Sequence, residues 1–271
     1  MEKKFENNRF GKRLRSMLAV DFRRMFGTSL FYIMVGICLV VPVLILVMTT
    51  MMDGSVTVDP NTGAETVIES FGNVWQIIGT VSGSTEGEAA TADMSITSMC
   101  NINMLYFAIA VLVCIFTADD FRSGYAKNLF TVRAKKGDYV ISKTAVCFIG
   151  GVIMLLAFLG GSFIGGAVAG LPFEMIGFNV GNLIACMLSK LLIVPIFVSI
   201  YLCMSVIGKQ KLWLSILLSF MVGMFLFNIA PMVSPLNSTI LNVLMCLAGG
   251  ILFSVGMGAV SNQVLKKTSL V

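Results

Sequence analysis

Long apolar runs alternate with shorter polar segments along the whole chain. Six of these runs reach about 20 residues, the length that crosses the hydrocarbon core of a bilayer as a helix. The apolar residues follow one another without the alternation of membrane-barrel strands, so helices are favoured. The sequence therefore predicts an all-α polytopic membrane protein with six transmembrane helices. The predicted spans are residues 30–50, 99–118, 139–170, 183–207, 212–229 and 239–260.

The composition agrees with a chain whose solvent is mostly lipid. Hydrophobic residues make up 57% of the chain and charged residues 12%, whereas soluble proteins contain about 25% charged residues. The third and sixth spans carry small residues four positions apart, including Gly161/Gly165 and Gly250/Ser254/Gly258. Such residues let helix backbones approach closely, either within one chain or between subunits.

A basic segment with helical periodicity precedes the first span. Its apolar residues recur at the spacing of one helix face, and basic residues fill most of the other positions. This pattern predicts an N-terminal amphipathic helix in the membrane interface, although a basic flank that only fixes orientation is the alternative. We divide the chain into an N-terminal region, 1–29, and a transmembrane domain, 30–271. The apolar positions are Phe10, Leu14, Met17, Leu18, Phe22, Met25 and Phe26.

Charge is distributed unequally between the two sides of the predicted bundle. Eighteen of the 19 Lys and Arg residues lie in the N-terminal region, the segment 119–143, the turn 208–211 and the C-terminal tail. Segment 52–98, on the opposite side, holds seven acidic residues and no Lys or Arg. The positive-inside rule therefore predicts that both termini are cytoplasmic and that 52–98 is a large extracellular loop. Within it, residues 71–81 are expected to pack on the membrane surface.

Several kinds of chemistry are missing from the sequence. There is no His and no GxxxxGK[ST] motif, and the seven Cys lack both zinc-ligand spacing and a disulfide pattern. The chain is therefore not expected to be an enzyme or to bind a metal, a cofactor or nucleic acid. The predicted spans also contain no Asp or Glu, which argues against an ion-coupled carrier, because such carriers usually hold their ion with a membrane carboxylate.

One charged residue, Lys190, lies well inside a predicted span. It is about seven residues into the fourth span, or roughly 10 Å at 1.5 Å per residue. One interpretation is a contact with an anion or substrate on the transport path. The alternative is a lysine whose amine extends to the outer interface.

The charged segment 119–143 joins the second and third spans on the basic side. It contains six Lys or Arg and three Asp. Phe121, Tyr125, Leu129 and Phe130 lie among the charges, and aromatic residues of this kind serve as anchors in a partner's groove. We predict that residues 119–138 bind a cytoplasmic partner and transmit its movement to the spans. A basic loop that only sets topology is the alternative.

The topology and this segment resemble the membrane subunits of ABC transporters of the type-2 exporter permease family. That family tends to have an acidic residue after the second span, then a glycine, a polar or basic stretch, an aromatic residue and a lysine. The chain departs from the family in having Asp where Glu is commoner, and TVRAKKGD in place of P-x-S-R. The matching positions are Asp119 or Asp120, Gly124, residues 133–136, Tyr139 and Lys143.

The resemblance implies a permease subunit driven by a separate ATP-binding subunit, which would hold ATP and Mg. A second permease subunit, identical or different, would complete the translocation path. The implied activity is export of a peptide, drug, lipid or glycan across a bacterial plasma membrane. The residues implied in coupling to the ATP-binding subunit are Asp119, Asp120, Phe121, Arg122, Gly124, Tyr125, Lys127, Leu129 and Phe130.

A different class of function is also compatible with the sequence. The acidic segment 52–98 would attract cationic molecules, so a cationic peptide is the favoured substrate or ligand. A non-transporting membrane sensor, or an immunity protein against antimicrobial peptides, would use the same segment as its binding site. Association with an ATP-binding subunit distinguishes a transporter from this alternative.

Overall fold

Helices dominate the computed structural model, which describes residues 2–58, 65–67, 70–81, 100–131, 136–208 and 211–267. Six of the helices in these ranges are long and apolar enough to span a membrane, which confirms the predicted all-α, six-span fold. In chain order the α-helices are α1 (Glu2–Phe26), α2 (Ser29–Met51), α3 (Leu105–Arg122), α4 (Tyr125–Thr131), α5 (Lys136–Ala169), α6 (Val180–Ile207), α7 (Leu212–Val233) and α8 (Ile240–Lys267).

The helices that flank α4 extend further toward it than predicted. Helix α3 continues to Arg122, beyond the expected end at residue 118, and α5 has 34 residues, or about 51 Å at 1.5 Å per residue. Asp120 and Asp138 therefore lie within these helices, and both are nearly or fully buried. The prediction that the spans contain no acidic residue is therefore wrong for α3 and α5. Both helices, and the buried part of each, continue beyond the apolar runs on which the prediction rested.

Close helix contacts within the chain are made at glycines. A Cβ atom at Gly161 of α5 would collide with the Leu39 carbonyl oxygen and the Pro42 ring of α2, and one at Gly165 would lie 2.8 Å from the Val43 Cα. Gly250 of α8 similarly faces α6. These small residues thus serve packing inside one chain, which is one of the two possibilities that the spacing left open.

The N-terminal segment is helical, as predicted, but its buried side is not purely apolar. Helix α1 lies along the start of α5, with Met17, Asp21 and Met25 buried. Leu18 and Phe22 are only half-buried on an adjacent side. The predicted apolar face is therefore divided: Met17 and Met25 pack against the protein, and Leu18 and Phe22 remain partly exposed. Location of α1 in a membrane interface stays a prediction.

The segment before α3 is inserted among the helix ends instead of resting on their surface. A short antiparallel hairpin pairs Val56–Val58 with Glu65–Val67, and a 3₁₀ helix, Val74–Ile77, follows. Val74 is fully buried against Gly166 of α5, and the Trp75 indole N–H donates a hydrogen bond to the Phe173 carbonyl oxygen at 3.0 Å. The expectation of surface packing for residues 71–81 is thus wrong for residues 71–78, six of which are buried; Gly72 and Gln76 are exposed.

Candidate functional site

Helix α1, the end of α3, the short helix α4 and the start of α5 meet at one end of the bundle, together with the end of α8. We call this the basic end, because 18 of the 19 Lys and Arg residues belong to segments on this side. The Lys136 amine of α5 donates a hydrogen bond to the Leu265 carbonyl oxygen of α8. The segment predicted to bind a partner therefore joins α3 to α5 and contacts α1 and α8.

A buried lysine, Lys143, stands at the centre of this end. Its Nζ lies 3.0 Å from Asp21 Oδ1 of α1 and 2.6 Å from Asp120 Oδ2 of α3, and all three side chains are fully buried. The same Nζ lies 3.7 Å from the centre of the Phe116 ring. One ammonium on α5 thus pairs with carboxylates from two different helices.

Each carboxylate has a further polar partner. The Ser142 hydroxyl donates to Asp21 Oδ2 at 2.6 Å, and the Tyr139 hydroxyl donates to Asp120 Oδ2 at 2.8 Å. Buried carboxylates need such donors, because burial without them costs several kcal/mol. The arrangement is therefore a network of ion pairs and hydrogen bonds and not an isolated pair, in which Lys143 Nζ and Asp21 Oδ1 are joined by charge without a hydrogen bond.

Arg24 connects α1 to the α3–α4 junction. Its guanidinium pairs with Asp120, lies 3.3 Å from Asp119 Oδ2, and stacks 4.1 Å above the Tyr125 ring. Partial burial lowers the pKa of Arg24, but attraction to Asp120 and its neighbours outweighs this effect and raises it above the usual value. The guanidinium therefore stays charged, and α1 is held to the residues on both sides of the predicted coupling segment.

A second ion pair lies one helix turn nearer the start of α5. Arg13 Nη2 of α1 lies 3.1 Å from Asp138 Oδ2, whose side chain is almost completely buried. An acidic residue in the first turn of a helix is also favoured by the helix dipole. Together with the Lys143 network, this pair holds α1 to α5 at two levels.

The predicted coupling residues are divided between this network and the surface. Asp120 is buried in the network, whereas Arg122 and Lys127 are exposed. Phe121 and Phe130 are half-buried, with ring centres 6.4 and 5.5 Å from that of Tyr139. The aromatic residues predicted to anchor a partner therefore use part of their surface inside the chain, and the surface that α4 leaves free is largely polar.

Gly124 separates α3 from α4. Its φ is +74°, in the left-handed region that glycine adopts without the penalty of a Cβ atom. The chain can therefore reverse sharply and return α4 toward Arg24. Of the basic stretch 133–136 in the family pattern, only Lys136 lies within the described residues.

Sequence reasoning missed the members of the network that lie outside segment 119–138. The sequence places Asp21 and Arg24 in a charged N-terminal region, and it places Lys143 at the end of the charged segment 119–143 and in the family pattern. One signal was available: Asp21 is four residues from both Met17 and Met25 and so shares their helix face. An acidic residue on the apolar side of a basic amphipathic helix indicates a buried cationic partner.

Lys190 is fully buried near the opposite end of the bundle. Its Nζ lies 3.1 Å from Ser234 Oγ, at the end of α7, and 3.4 Å from Asn103 Oδ1, just before α3. One interpretation of the sequence required the amine to extend to the outer interface, and the burial of Lys190 shows that it does not reach the surface. A role on a substrate path stays a prediction.

The acidic residues of segment 52–98 lie almost entirely outside the described side chains. Asp53 is the one acidic residue there whose side chain is described, and its Oδ1 accepts a hydrogen bond from the Ser70 N–H at 2.9 Å. Asp59, Glu69, Glu86, Glu88 and Asp93 lie outside the described residues, as does the side chain of Glu65. A cationic-ligand site on this segment stays a prediction.

The six apolar helices and the buried ion pairs between their ends define a multi-pass membrane protein. No group of three or more His, Cys, Asp or Glu is placed to hold a metal ion in the part of the chain that the structure describes. Comparison of the chain with protein-family models, with curated proteins and with solved structures gives no match.

Proposed function

We propose that the chain is the permease subunit of an ATP-driven ABC transporter of a bacterial plasma membrane. ATP would be hydrolysed in a separate subunit that binds segment 119–138, and a second permease subunit would complete the path. The favoured activity is export of a peptide, drug or lipid-like substrate. The observation that carries the proposal is the position of α4, a short helix between two long spans whose ends share the buried Lys143 network.

The network supplies a physical route for coupling. A force on α4 acts first on Gly124 and the end of α3, where Asp120 is located. Because Asp120 contacts both Lys143 of α5 and Arg24 of α1, the three helices would move together. Helix α2 follows α1 after only two residues, 27–28, so the first span would also be displaced.

The surface of α4 indicates how a partner would bind. Arg122 and Lys127 are exposed, and Phe121 and Tyr125 of the same segment are half-buried. A groove with acidic residues at its rim and apolar residues at its floor would be complementary to this surface.

Charge reversal on this surface tests the proposal. The chain is co-expressed with the ATP-binding subunit of a neighbouring gene, and association and ATPase activity are measured in nanodiscs. Arg122→Glu combined with Lys127→Glu should weaken association and reduce coupled ATP turnover at least tenfold. Lys266→Glu combined with Lys267→Glu, which reverses two exposed charges at the same end, should leave both unchanged. Absence of any association in the wild type, or equal behaviour of both double variants, would overturn the proposal.

A second candidate is a non-transporting sensor or immunity protein. The observation that favours it is the insertion of residues 71–78 among the helix ends, with Val74 and Trp75 packed against α5 and the connection after it. A ligand bound by segment 52–98 would then act directly on the helices. This candidate predicts that the purified chain binds a cationic peptide without any ATP-binding subunit, and that deletion of residues 82–97 abolishes this binding.

A further inference from the structure

Lys190 is buried without an acidic partner in the described part of the chain. Both oxygen atoms that contact its ammonium, Asn103 Oδ1 and Ser234 Oγ, belong to uncharged groups. The thiols of Cys186 and Cys246 are its other polar neighbours, and neutral thiols are weak hydrogen-bonding groups. By contrast, the second buried lysine, Lys143, has two carboxylates within 3.0 Å.

The polar groups around Lys190 offer more donors than acceptors. The Ser234 hydroxyl gives its proton to the Ala230 carbonyl oxygen at 2.8 Å, so its oxygen is an acceptor for Lys190. An ammonium carries three N–H donors, and Asn103 and Ser234 accept two of them. The Asn103 amide nitrogen is buried with no hydrogen-bond partner among the described residues, and it belongs to the same planar group as the oxygen that contacts Lys190. Two kinds of unused donor are therefore neighbours.

The site is rigidly built. The Asn103 backbone N–H is held by the Asn101 side chain at 2.9 Å, and the Tyr106 hydroxyl donates to the Lys190 carbonyl oxygen at 3.2 Å. Asn103, Lys190 and Ser234 are each at most 1% exposed. Donors held in place before a ligand binds lose little entropy on binding.

We propose that Lys190 and Asn103 form a binding site for one small monovalent anion, for which chloride is the probe. A single negative charge would neutralise the ammonium, and the remaining ammonium and amide N–H groups would both donate to it. The free energy comes from charge neutralisation in a desolvated site, where an unpaired charge is costly. Lys190 lies ten residues after the start of α6, or about 15 Å along its axis, so the anion would be a resident component of the bundle. The proposal does not depend on the proposed transport function.

The experiment compares thermal unfolding of the purified full chain in nanodiscs in chloride and in gluconate at constant ionic strength. Chloride at tenfold above its dissociation constant should raise the wild-type Tm by about 3–5 °C. Lys190→Met, which keeps most of the length of the side chain without its charge, should remove the dependence on chloride. Lys211→Met, at an exposed position, should retain it.

Two further measurements keep the test decisive if Lys190→Met does not fold. Radioactive chloride should bind the wild-type chain with a stoichiometry of one in equilibrium dialysis. Asn103→Leu, which retains the lysine but lacks the amide donor, should weaken this binding at least tenfold. Equal wild-type Tm values in chloride and gluconate would overturn the proposal, as would unchanged chloride dependence in Lys190→Met or undiminished binding in Asn103→Leu. If a thiolate of Cys186 or Cys246 were the counter-ion of Lys190, the wild-type Tm would be equal in chloride and in gluconate.

Discussion

At the scale of single residues, the two buried lysines occupy opposite electrostatic environments. Lys143 holds carboxylates from α1 and α3, whereas Lys190 contacts only neutral oxygens among the described residues. Removing one member of a buried ion pair costs about 3–5 kcal/mol, because the remaining charge stays buried without compensation. Replacing Lys143 by a neutral residue is therefore expected to leave two carboxylates buried, whereas replacing Lys190 leaves none among the described residues.

Lys143→Met should lower the free energy of unfolding by about 3–5 kcal/mol, since it leaves Asp21 and Asp120 buried with one ammonium fewer. Thermal unfolding in nanodiscs measures the change. Lys127→Met, at an exposed position on α4, should change stability by less than about 0.5 kcal/mol. Adding Asp21→Asn to Lys143→Met should recover part of the loss, because it removes one of the uncompensated carboxylates. Equal stability of Lys143→Met and Lys127→Met would show that the network does not hold α1 in place.

At the scale of helices, contact between α2 and α5 depends on glycines in α5. Gly161 faces the α2 backbone at Leu39, whereas Gly160, its neighbour in the chain, has no atom within 4 Å of the position that a Cβ would take. A backbone atom cannot move aside as a flexible side chain can. The two positions therefore differ in contact although they are adjacent and chemically identical.

Gly161→Ala should destabilise the protein by about 1–3 kcal/mol through overpacking. Gly160→Ala is the matched control and should be neutral or stabilising by up to about 1 kcal/mol, because alanine is the better helix former. Unfolding midpoints of the two variants in the same nanodiscs give the comparison. A Gly161→Ala protein as stable as Gly160→Ala would contradict the close contact between α2 and α5.

At the scale of the whole molecule, the two ends of the bundle are built differently. The basic end is held by ion pairs among α1, α3 and α5, and the opposite end contains the buried apolar residues of 71–78 around Trp75. Orientation in the membrane follows from the distribution of Lys and Arg and stays a prediction. It determines which end an ATP-binding subunit can reach.

Reporter fusions test that orientation. Green fluorescent protein joined after Val271 should fluoresce, since it folds in the cytoplasm, and alkaline phosphatase joined after Gly54 should be active, since it requires the outer side. The expectation rests on the positive-inside rule. The reverse pattern would place α4 outside the cell and exclude binding of a cytoplasmic subunit to it.

The sequence by itself determined the number and type of the spans, because a bilayer demands about 20 continuous apolar residues and internally paired backbones. It also located the charged segment 119–143 and the helical periodicity of residues 10–26. These are local properties, which can be recognised within one turn or one run of the chain. The candidate site could be predicted only in part: Asp119, Asp120 and Gly124 lie in that segment, whereas Asp21 and Arg24 lie outside it.

Tertiary structure alone decided what those residues contact. Asp21 and Lys143 are 122 positions apart in the sequence, yet their side chains are paired. The sequence places Lys143 at the end of a charged segment and Lys190 inside an apolar run. Neither position reveals that Lys143 is paired with two carboxylates, or that Lys190 lacks a carboxylate partner among the described residues. The same holds for residues 71–78, whose burial depends on the space that Gly166 leaves in α5. Burial and pairing are set by helices that meet only after folding, so the periodicity of one segment cannot reveal them.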